Sequence, residues 1–294
     1  MPSGGGAKNL YLPSGQPVSW SLRNMVRRLA PFAFDLWQHR GLLWQFTQRQ
    51  IELRHKGSHL GLFWALLQPL LMLALYLLVF GYILEGKFGA KPDETRADFG
   101  LGIFFGLVLF HVFAEVLTVS STVIVSQPNF VKKVVFPLEV LPAANVGAAF
   151  FHLAIGLGLA LAGVALFGPG LGLTSLWLPV ILLPVLLLLL GLGWLLAALG
   201  VFLRDLNPLT QFLSLVLMFS SAVFYSAQKI PPDAWVYMRF NPVLLAIQAV
   251  RDAALWQRPL HPGHLLYLWA AGLAACYVGH AVFRRLKPAF ADVL

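Results

Sequence analysis

Few side chains in this sequence have the types and spacing that catalysis or metal binding requires. His55 and His59 lie four residues apart on a predicted helix, which suits two metal ligands, but no third ligand is near in sequence. Gly86-Lys87 lacks the Ser or Thr and the glycine loop that hold nucleotide phosphates. No Gly-x-Ser-x-Gly nucleophile elbow occurs, although a Ser-His-Asp set assembled from distant positions stays open. We therefore expect no catalytic residue, no metal site and no cofactor in this chain.

Glu115 is unusual because it is an ionisable residue deep inside an apolar run of residues. Placing a charge at the centre of a membrane helix costs roughly 2.5–3.5 kcal/mol, so such a residue tends to face a cavity or a partner. His111 precedes it by four residues and therefore lies on the same helix face, within reach of a hydrogen bond. We expect a cavity-facing or interface-facing pair and favour a structural role over a proton relay.

The composition indicates that these residues are positioned by a membrane-embedded helical protein. Of the 294 residues, 59% are hydrophobic and only 11% are charged, whereas a soluble domain has about 25% charged residues. The mean hydropathy is +0.75. The net charge of +9 comes from small basic groups beside apolar runs, which is typical of membrane orientation and not of nucleic-acid binding. With the single cysteine Cys276, the fold cannot depend on an internal disulfide.

Six apolar stretches approach the length of about 20 residues that a helix needs to cross the hydrocarbon core. They are Leu60–Leu84, Phe99–Val125, Ala143–Phe167, Trp177–Leu203, Leu209–Ala227 and His264–Phe283. Placing both termini in the cytoplasm puts 14 Lys and Arg residues on the inner side and 7 on the outer side, as the positive-inside rule demands. The fold class predicted is thus an all-α integral membrane protein with six transmembrane helices over 60–294.

Three segments outside these spans carry separate predictions. Residues 1–19 are rich in Gly, Ser and Pro without the apolar core of a cleaved signal, and we expect a disordered tail. Residues 20–59 are basic with interspersed Trp and Leu, which predicts a cytoplasmic amphipathic interfacial helix; an ordinary soluble helix pair is the alternative. Residues 228–262 are too polar to span and predict short external re-entrant helices.

Several stretches are too particular to be generic membrane sequence. They are RHKGSHLGLFW at 54–64, NFVKKVVFPLEVLP at 129–142, FLRDLNP at 202–208, Asn241-Pro242 followed by Arg251-Asp252, and FRRLKP at 283–288. Together they resemble the membrane subunit of type 2 ABC exporters for lipid-linked polysaccharides, the O-antigen and teichoic acid permeases, from about residue 38 onward. The resemblance implies a homodimer in the bacterial cytoplasmic (inner) membrane that binds two copies of a separate ATPase subunit. ATP and Mg would then be bound by that partner.

The resemblance assigns roles to three sets of residues. The cytoplasmic segment 126–142 would be a coupling helix seated in a cleft of the ATPase; a loop whose lysines merely set topology, or a local Arg204–Asp205 pair, is the alternative. The ATPase-coupling set is Asn129, Lys132, Lys133, Phe136, Pro137, Leu138, Glu139, Arg204 and Asp205. The lipid-diphosphate entrance would use Arg49, Arg54 and Lys56, which equally suit anchoring to anionic membrane lipids. Channel-lining candidates are Phe104, Phe105, Phe110, Phe113, Glu115, Phe219, Phe224 and Tyr225.

The function predicted is ATP-driven export of a lipid-linked polysaccharide, with O-antigen as the leading substrate. The alternatives are a type 2 permease for teichoic acid, capsule, a drug or a lipid, and, from a different class, a membrane-embedded glycan assembly enzyme or scaffold. An enzyme of that class should show an acidic pair at one membrane face. Asp205 and Asp252 fall on opposite sides in the predicted topology.

Overall fold

The computed structural model describes residues 31–55, 61–83, 85–132 and 136–294, which contain helices and no strand. The predictions for 1–19, for Lys56 and for Lys133 lie outside the described residues. The helices, in chain order, are α1 Pro31–Gln38, α2 Arg40–His55, α3 Trp64–Tyr76, α4 Arg96–Ser120, α5 Pro128–Lys132, α6 Val140–Phe167, α7 Leu178–Phe202, α8 Leu206–Ser220, α9 Pro232–Met238, α10 Pro242–Ala254, α11 Pro262–Leu286 and α12 Phe290–Val293.

Within the described residues, five helical stretches are long and apolar enough to cross a membrane, which confirms the all-helical membrane fold. They are Trp64–Ile83, Arg96–Ser120, Val140–Phe167, Leu173–Phe202 and Pro262–Val293. The first of these continues α3 as a π-helix over Leu77–Ile83, and the fourth adds a 3₁₀ turn, Leu173–Trp177, before α7.

The predicted fifth span is shorter than the sequence indicated. Helix α8 has 15 residues, about 22 Å at 1.5 Å per residue, against a hydrocarbon core of about 30 Å. The helix ends at Ser220, and Ala222 has a positive φ of 51°. The Asn241 side-chain amide donates to the Ser220 carbonyl at 3.2 Å, so another part of the chain takes over the helix end. The residues between Ser220 and Ala227 do not continue the helix; several of them are apolar because they are buried in the interior.

The segments expected to lie beside the membrane are also helical. Residues 31–55 form two helices, α1 and α2, and not one; Trp37 and Trp44 on them are largely exposed, at 71% and 61%. The segment 228–262 contains two short helices, α9 and α10, and most of α10 is buried. Their placement at or in the membrane stays a prediction.

Helices α7 and α11 approach each other closely through glycines. A Cβ on Gly191 would overlap the backbone of Ala275, one on Gly279 would overlap the Gly191 carbonyl, and one on Gly272 would overlap the Pro184 carbonyl. Backbones in such contact are typical of membrane helices, whose association depends on van der Waals packing rather than on the hydrophobic effect. This pair forms one wall of the interior, against which α4 and α10 pack.

We expect Gly279→Ala to destabilise the protein because its new methyl group has no room between α7 and α11. Overpacking of this kind costs about 1–3 kcal/mol, or roughly 2–4 °C of thermal midpoint per kcal/mol in a protein of this size. The measurement is thermal unfolding of the purified protein in detergent. Gly158→Ala is the matched control, because nothing lies within 4 Å of its Cβ position on α6. Equal midpoints for the two variants would contradict the packing argument.

Candidate functional site

Glu115 is the centre of a charged cluster that joins three helices. Its carboxylate lies 2.5 Å from the Arg54 guanidinium and 3.7 Å from Nδ1 of His152. Arg54, at the end of α2, also lies 3.0 Å from His152 Nδ1. The Glu115 side chain is only 16% exposed, whereas that of Arg54 is 44% exposed. The ion pair therefore connects the helix expected at the membrane interface to α4 and α6.

The predicted hydrogen bond between His111 and Glu115 is wrong. His111 Nδ1 lies 2.7 Å from the Leu107 carbonyl one turn earlier. No hydrogen bond joins His111 to Glu115 in the described residues, and Arg54 supplies the counter-charge instead. The expectation that Glu115 faces a cavity does agree with the structure, because it lines two.

The Arg54–Glu115 pair lines two cavities. The small cavity, about 90 Å³, lies between α3, α4 and α6 and has mostly apolar walls that include Met72, Phe104 and Leu153. The larger cavity, about 520 Å³ and open to the surface, also has mostly apolar walls, to which Gln50, Thr118 and Asn145 add polar groups. Arg54, His111 and Glu115 line both. The charged cluster thus lies between mostly apolar walls in both cavities.

The two described residues of the predicted lipid-diphosphate entrance point to different neighbours. Arg54 is held by Glu115 and His152, as described above. Arg49 is exposed, with its guanidinium 5.9 Å from the centre of the Phe46 ring. The structure thus places only Arg54 at the cavities, and a phosphate-binding role for either residue stays a prediction.

The channel-lining candidates divide into buried and surface residues. Phe105, Phe110 and Phe113 are at most 7% exposed and fill the interior between α4 and its neighbours, so their rings reach no open surface. Phe104 is equally buried but lines the small cavity. The candidates beyond α4 differ from these: Phe219 is 57% exposed, Phe224 stacks on Phe80, and the Tyr225 hydroxyl donates to the Phe219 carbonyl.

In the predicted coupling segment, the aromatic residues pack inside the chain and the polar ones face outward. Phe136 lies 4.7 Å from Phe130 and 5.2 Å from Phe46 of α2 between ring centres. Asn129 and Lys132 on α5 are exposed. The exposed pair is therefore available to a partner, whereas the phenylalanines bind the segment to α2.

The remaining coupling candidates show the same division. Leu138 is buried and Pro137 is half-buried. Glu139 accepts two hydrogen bonds of 2.9 Å from the Lys287 ammonium group, and its carbonyl accepts one from the Trp194 indole. Arg204 and Asp205 are exposed on the turn before α8, and no ion pair joins them. Glu139 thus anchors the coupling segment to α7 and to the end of α11.

Arg251 is a buried residue whose importance the sequence analysis missed. The residue is only 3% exposed. Its guanidinium donates to the carbonyls of Gly102, Ala222 and Val223 at 2.6–2.8 Å. Any side chain on Gly106 would collide with it. An arginine in a mostly apolar helix, together with a Gly-x-x-x-Gly run on α4, is the signal that could have revealed this anchor between α4, α8 and α10.

Within the described residues, no group of three or more His, Cys, Asp or Glu side chains is arranged to hold a metal ion. The chemistry available at the Glu115 cluster is therefore charge pairing and hydrogen bonding. A charged cluster that faces cavities inside an all-helical membrane domain is typical of proteins that move solutes across a membrane.

Comparison with known proteins gives the same class. The family model for the ABC-2 type transporter matches residues 41–255, and the chain belongs to this family. It is a multi-pass protein of the bacterial cytoplasmic membrane.

The curated relatives are named for polysaccharide export. The chain is 26% identical over 255 residues to the O-antigen export system permease protein RfbA of Klebsiella pneumoniae, covering 86% of this chain and 95% of the relative. RfbA of Myxococcus xanthus is 26% identical over 88% of this chain and 97% of its own length. The polysialic acid transport protein KpsM of Escherichia coli is 26% identical over 82% and 92%. The family predicted from the sequence motifs is confirmed.

We expect a charge reversal at the Arg54–Glu115 pair to be repaired by its complement. Arg54→Glu places two carboxylates together and should lower stability by roughly 1–3 kcal/mol, because a charged partner is lost at a poorly solvated site. The double variant Arg54→Glu/Glu115→Arg should recover most of the loss. Thermal unfolding of the four proteins gives the coupling energy.

Glu52→Arg, at an exposed position of the same helix, is the control and should leave the midpoint unchanged. Strictly additive effects of the two single reversals would mean that the pair does not join α2 to α4.

Proposed function

We propose that this chain is the membrane-spanning permease of an ABC exporter that moves a lipid-linked polysaccharide, with O-antigen as the leading substrate. Support comes from the family match and from the printed names of the RfbA relatives. Energy would come from a separate ATPase subunit that binds ATP and Mg, with two copies serving a homodimer of this chain.

The observation that carries this proposal is the pair of cavities at Glu115. A lipid-linked glycan has a hydrocarbon chain, a charged phosphate linkage and a hydroxyl-rich polymer. The small cavity between α3, α4 and α6 suits a segment of the hydrocarbon chain, and the larger open cavity has room for the polar head, with Gln50, Thr118 and Asn145 as hydrogen-bonding groups. Arg54 lines both cavities, and its guanidinium can bind a phosphate through two parallel hydrogen bonds.

In this scheme the substrate phosphate competes with Glu115 for Arg54. Once the phosphate has replaced Glu115 as the partner of the Arg54 guanidinium, this ion pair no longer joins α2 to α4. The polar head can then pass along α4. ATP binding closes the partner dimer, pushes on residues 126–142 and shifts α3 and α8, which reshapes the path for the polymer.

Two largely apolar surfaces support a dimer and lipid contacts. The α3 stretch Trp64–Ile83 is apolar, yet only 6% of its most hydrophobic window is buried in the chain. On α8, Phe212, Leu215 and Phe219 are at least 50% exposed. Exposed apolar faces of this size mark lipid or protein contacts. We assign them to a second copy of the chain and to membrane lipid.

The proposed topology has six crossings with both termini in the cytoplasm, α8 being the short fifth crossing and α9 and α10 the external re-entrant helices. The buried Arg251 supports this, because it satisfies backbone groups at the α8 end that membrane lipid could not.

Single-cysteine labelling tests the orientation. In a Cys276→Ala background, Asp93→Cys should react with a membrane-impermeant maleimide in cells whose outer membrane alone is permeabilised. Lys132→Cys should react only after the inner membrane is opened. Both positions are exposed, so access is set by the membrane and not by the fold. The reverse labelling pattern would overturn the topology.

The exposed residues of α5 should be needed for coupling. Replacing Asn129 and Lys132 together by Asp changes the charge of the predicted partner surface without touching the Phe46–Phe130–Phe136 packing. We expect at least a tenfold loss of polysaccharide export and loss of ATPase binding in co-purification. Lys87→Asp, an exposed side chain on the far side of the protein in the proposed topology, is the matched control.

The purified chain alone should show no ATP hydrolysis. Robust hydrolysis without a partner, or full export by the α5 double variant, would contradict the proposed division between permease and motor.

A second substrate class is supported by one comparison. The KpsM relative is named for transport of polysialic acid, which makes an acidic capsular polysaccharide the main alternative cargo. A glycan assembly enzyme has less support, because Asp205 and Asp252 lie near opposite ends of α8, about 22 Å apart along its axis.

A further inference from the structure

A second polar cavity lies at the opposite end of the molecule from α5. It has a volume of about 150 Å³ and lies between the loop after α3, the turn after α8 and the end of α10. Its polar lining residues are Ser226, Gln228, Gln248, Asp252 and Arg258, and Trp256 is on its wall. At about 30 Å³ per water, the volume equals roughly five water molecules, or about one sugar ring.

Hydrogen-bonding groups converge on this cavity without partners in the described part of the chain. The Asp252 carboxylate makes no hydrogen bond or ion pair there, and neither do the side-chain amides of Gln228 and Gln248. Asp252 and Gln248 are only partly exposed. Their polar atoms are not fully buried, so they are open to hydrogen bonds from water or from a ligand in the cavity.

The cavity is held by a rigid backbone. Glu94 accepts hydrogen bonds from the backbone N–H groups of Phe88 and Gly89 at 2.8 and 2.7 Å. Arg258 donates to the Ala90 carbonyl, and Lys229 donates to that of Lys87 at 2.7 Å. The buried Arg251, which also lines the cavity, fixes α10 to α4 and α8. Such a preorganised site can bind a ligand without first ordering its own loops.

The side chains specify the kind of ligand. Beside the guanidinium groups of Arg251 and Arg258, one carboxylate and two amides line the cavity, and their donors and acceptors match the paired hydroxyls of a sugar. Both guanidinium groups already donate to backbone carbonyls and lie near the Asp252 carboxylate, which makes them poorer partners for a phosphate. A metal ion would need more ligands of the right type than the described residues supply.

We propose that this cavity is a sugar-binding subsite on the outer face, which holds one unit of the glycan as it leaves the membrane. This inference rests on the proposed function for the orientation of the face and for the nature of the substrate. A subsite there would hinder backward slipping of the polymer between power strokes, at the cost of only weak binding per sugar.

The test uses the full chain with its ATPase partner in lipid nanodiscs. The probe is the delipidated surface polysaccharide of the producing cells, and the readout is saturation-transfer NMR from protein to sugar protons. We expect a clear signal that Asp252→Asn reduces at least fivefold, with Gln248→Ala as a second, independent reduction. Asp233→Asn, an exposed acid on α9, is the matched control and should keep the full signal.

Thermal midpoints of all variants must match that of the parent, and Gln248→Ala keeps the test usable if Asp252→Asn fails to fold. The absence of a wild-type signal, or an undiminished signal in a folded Asp252→Asn or Gln248→Ala variant, would overturn the subsite. Polysaccharide export is measured separately on the same nanodisc components in vesicles. Sugar binding without export would refute the proposed function and leave the subsite standing, so the two failures are distinguishable.

Discussion

A bilayer interior cannot solvate a charge or a backbone polar group, and this constraint governs where the ionisable residues of the chain lie. Glu115 is neutralised by Arg54 from another helix. Arg251 donates to backbone carbonyls of α4 and of the turn after α8. Glu139 pairs with Lys287 from the turn that follows α11. Each pairing joins elements far apart in sequence, so satisfying a buried charge and fixing the tertiary structure are the same event.

The three pairings divide the protein into working regions. Glu139 and Lys287 secure the segment that would receive the push of a motor. Glu115 and Arg54 hold a helix against two cavities in the middle of the path. At the far end, Arg251 supports the polar cavity beside Asp252. Between them, glycine contacts such as that of Gly191 with α11 hold two helices in backbone contact.

Much of the fold followed from the sequence. A sequence with few charges and long apolar runs indicates helices surrounded by membrane lipid, because a soluble surface needs more charged residues. Five of the six predicted spans correspond to described helices that are long and apolar enough to cross a membrane. The motifs around 54–64 and 129–142 indicated the transporter family that the comparisons confirm. A lone acid within a span predicted a cavity, and Glu115 does line two.

The tertiary structure alone decided which partners these residues meet. Periodicity shows which residues share a helix face, as His111 and Glu115 do, but not what approaches that face. Arg54 and His152, the groups that pair with Glu115, are 98 residues apart. Likewise, the end of α8 depends on Asn241 from a later helix, and the burial of Phe113 depends on which helices surround α4. Sequence fixes the local conformation and the need for a partner, whereas long-range packing chooses the partner.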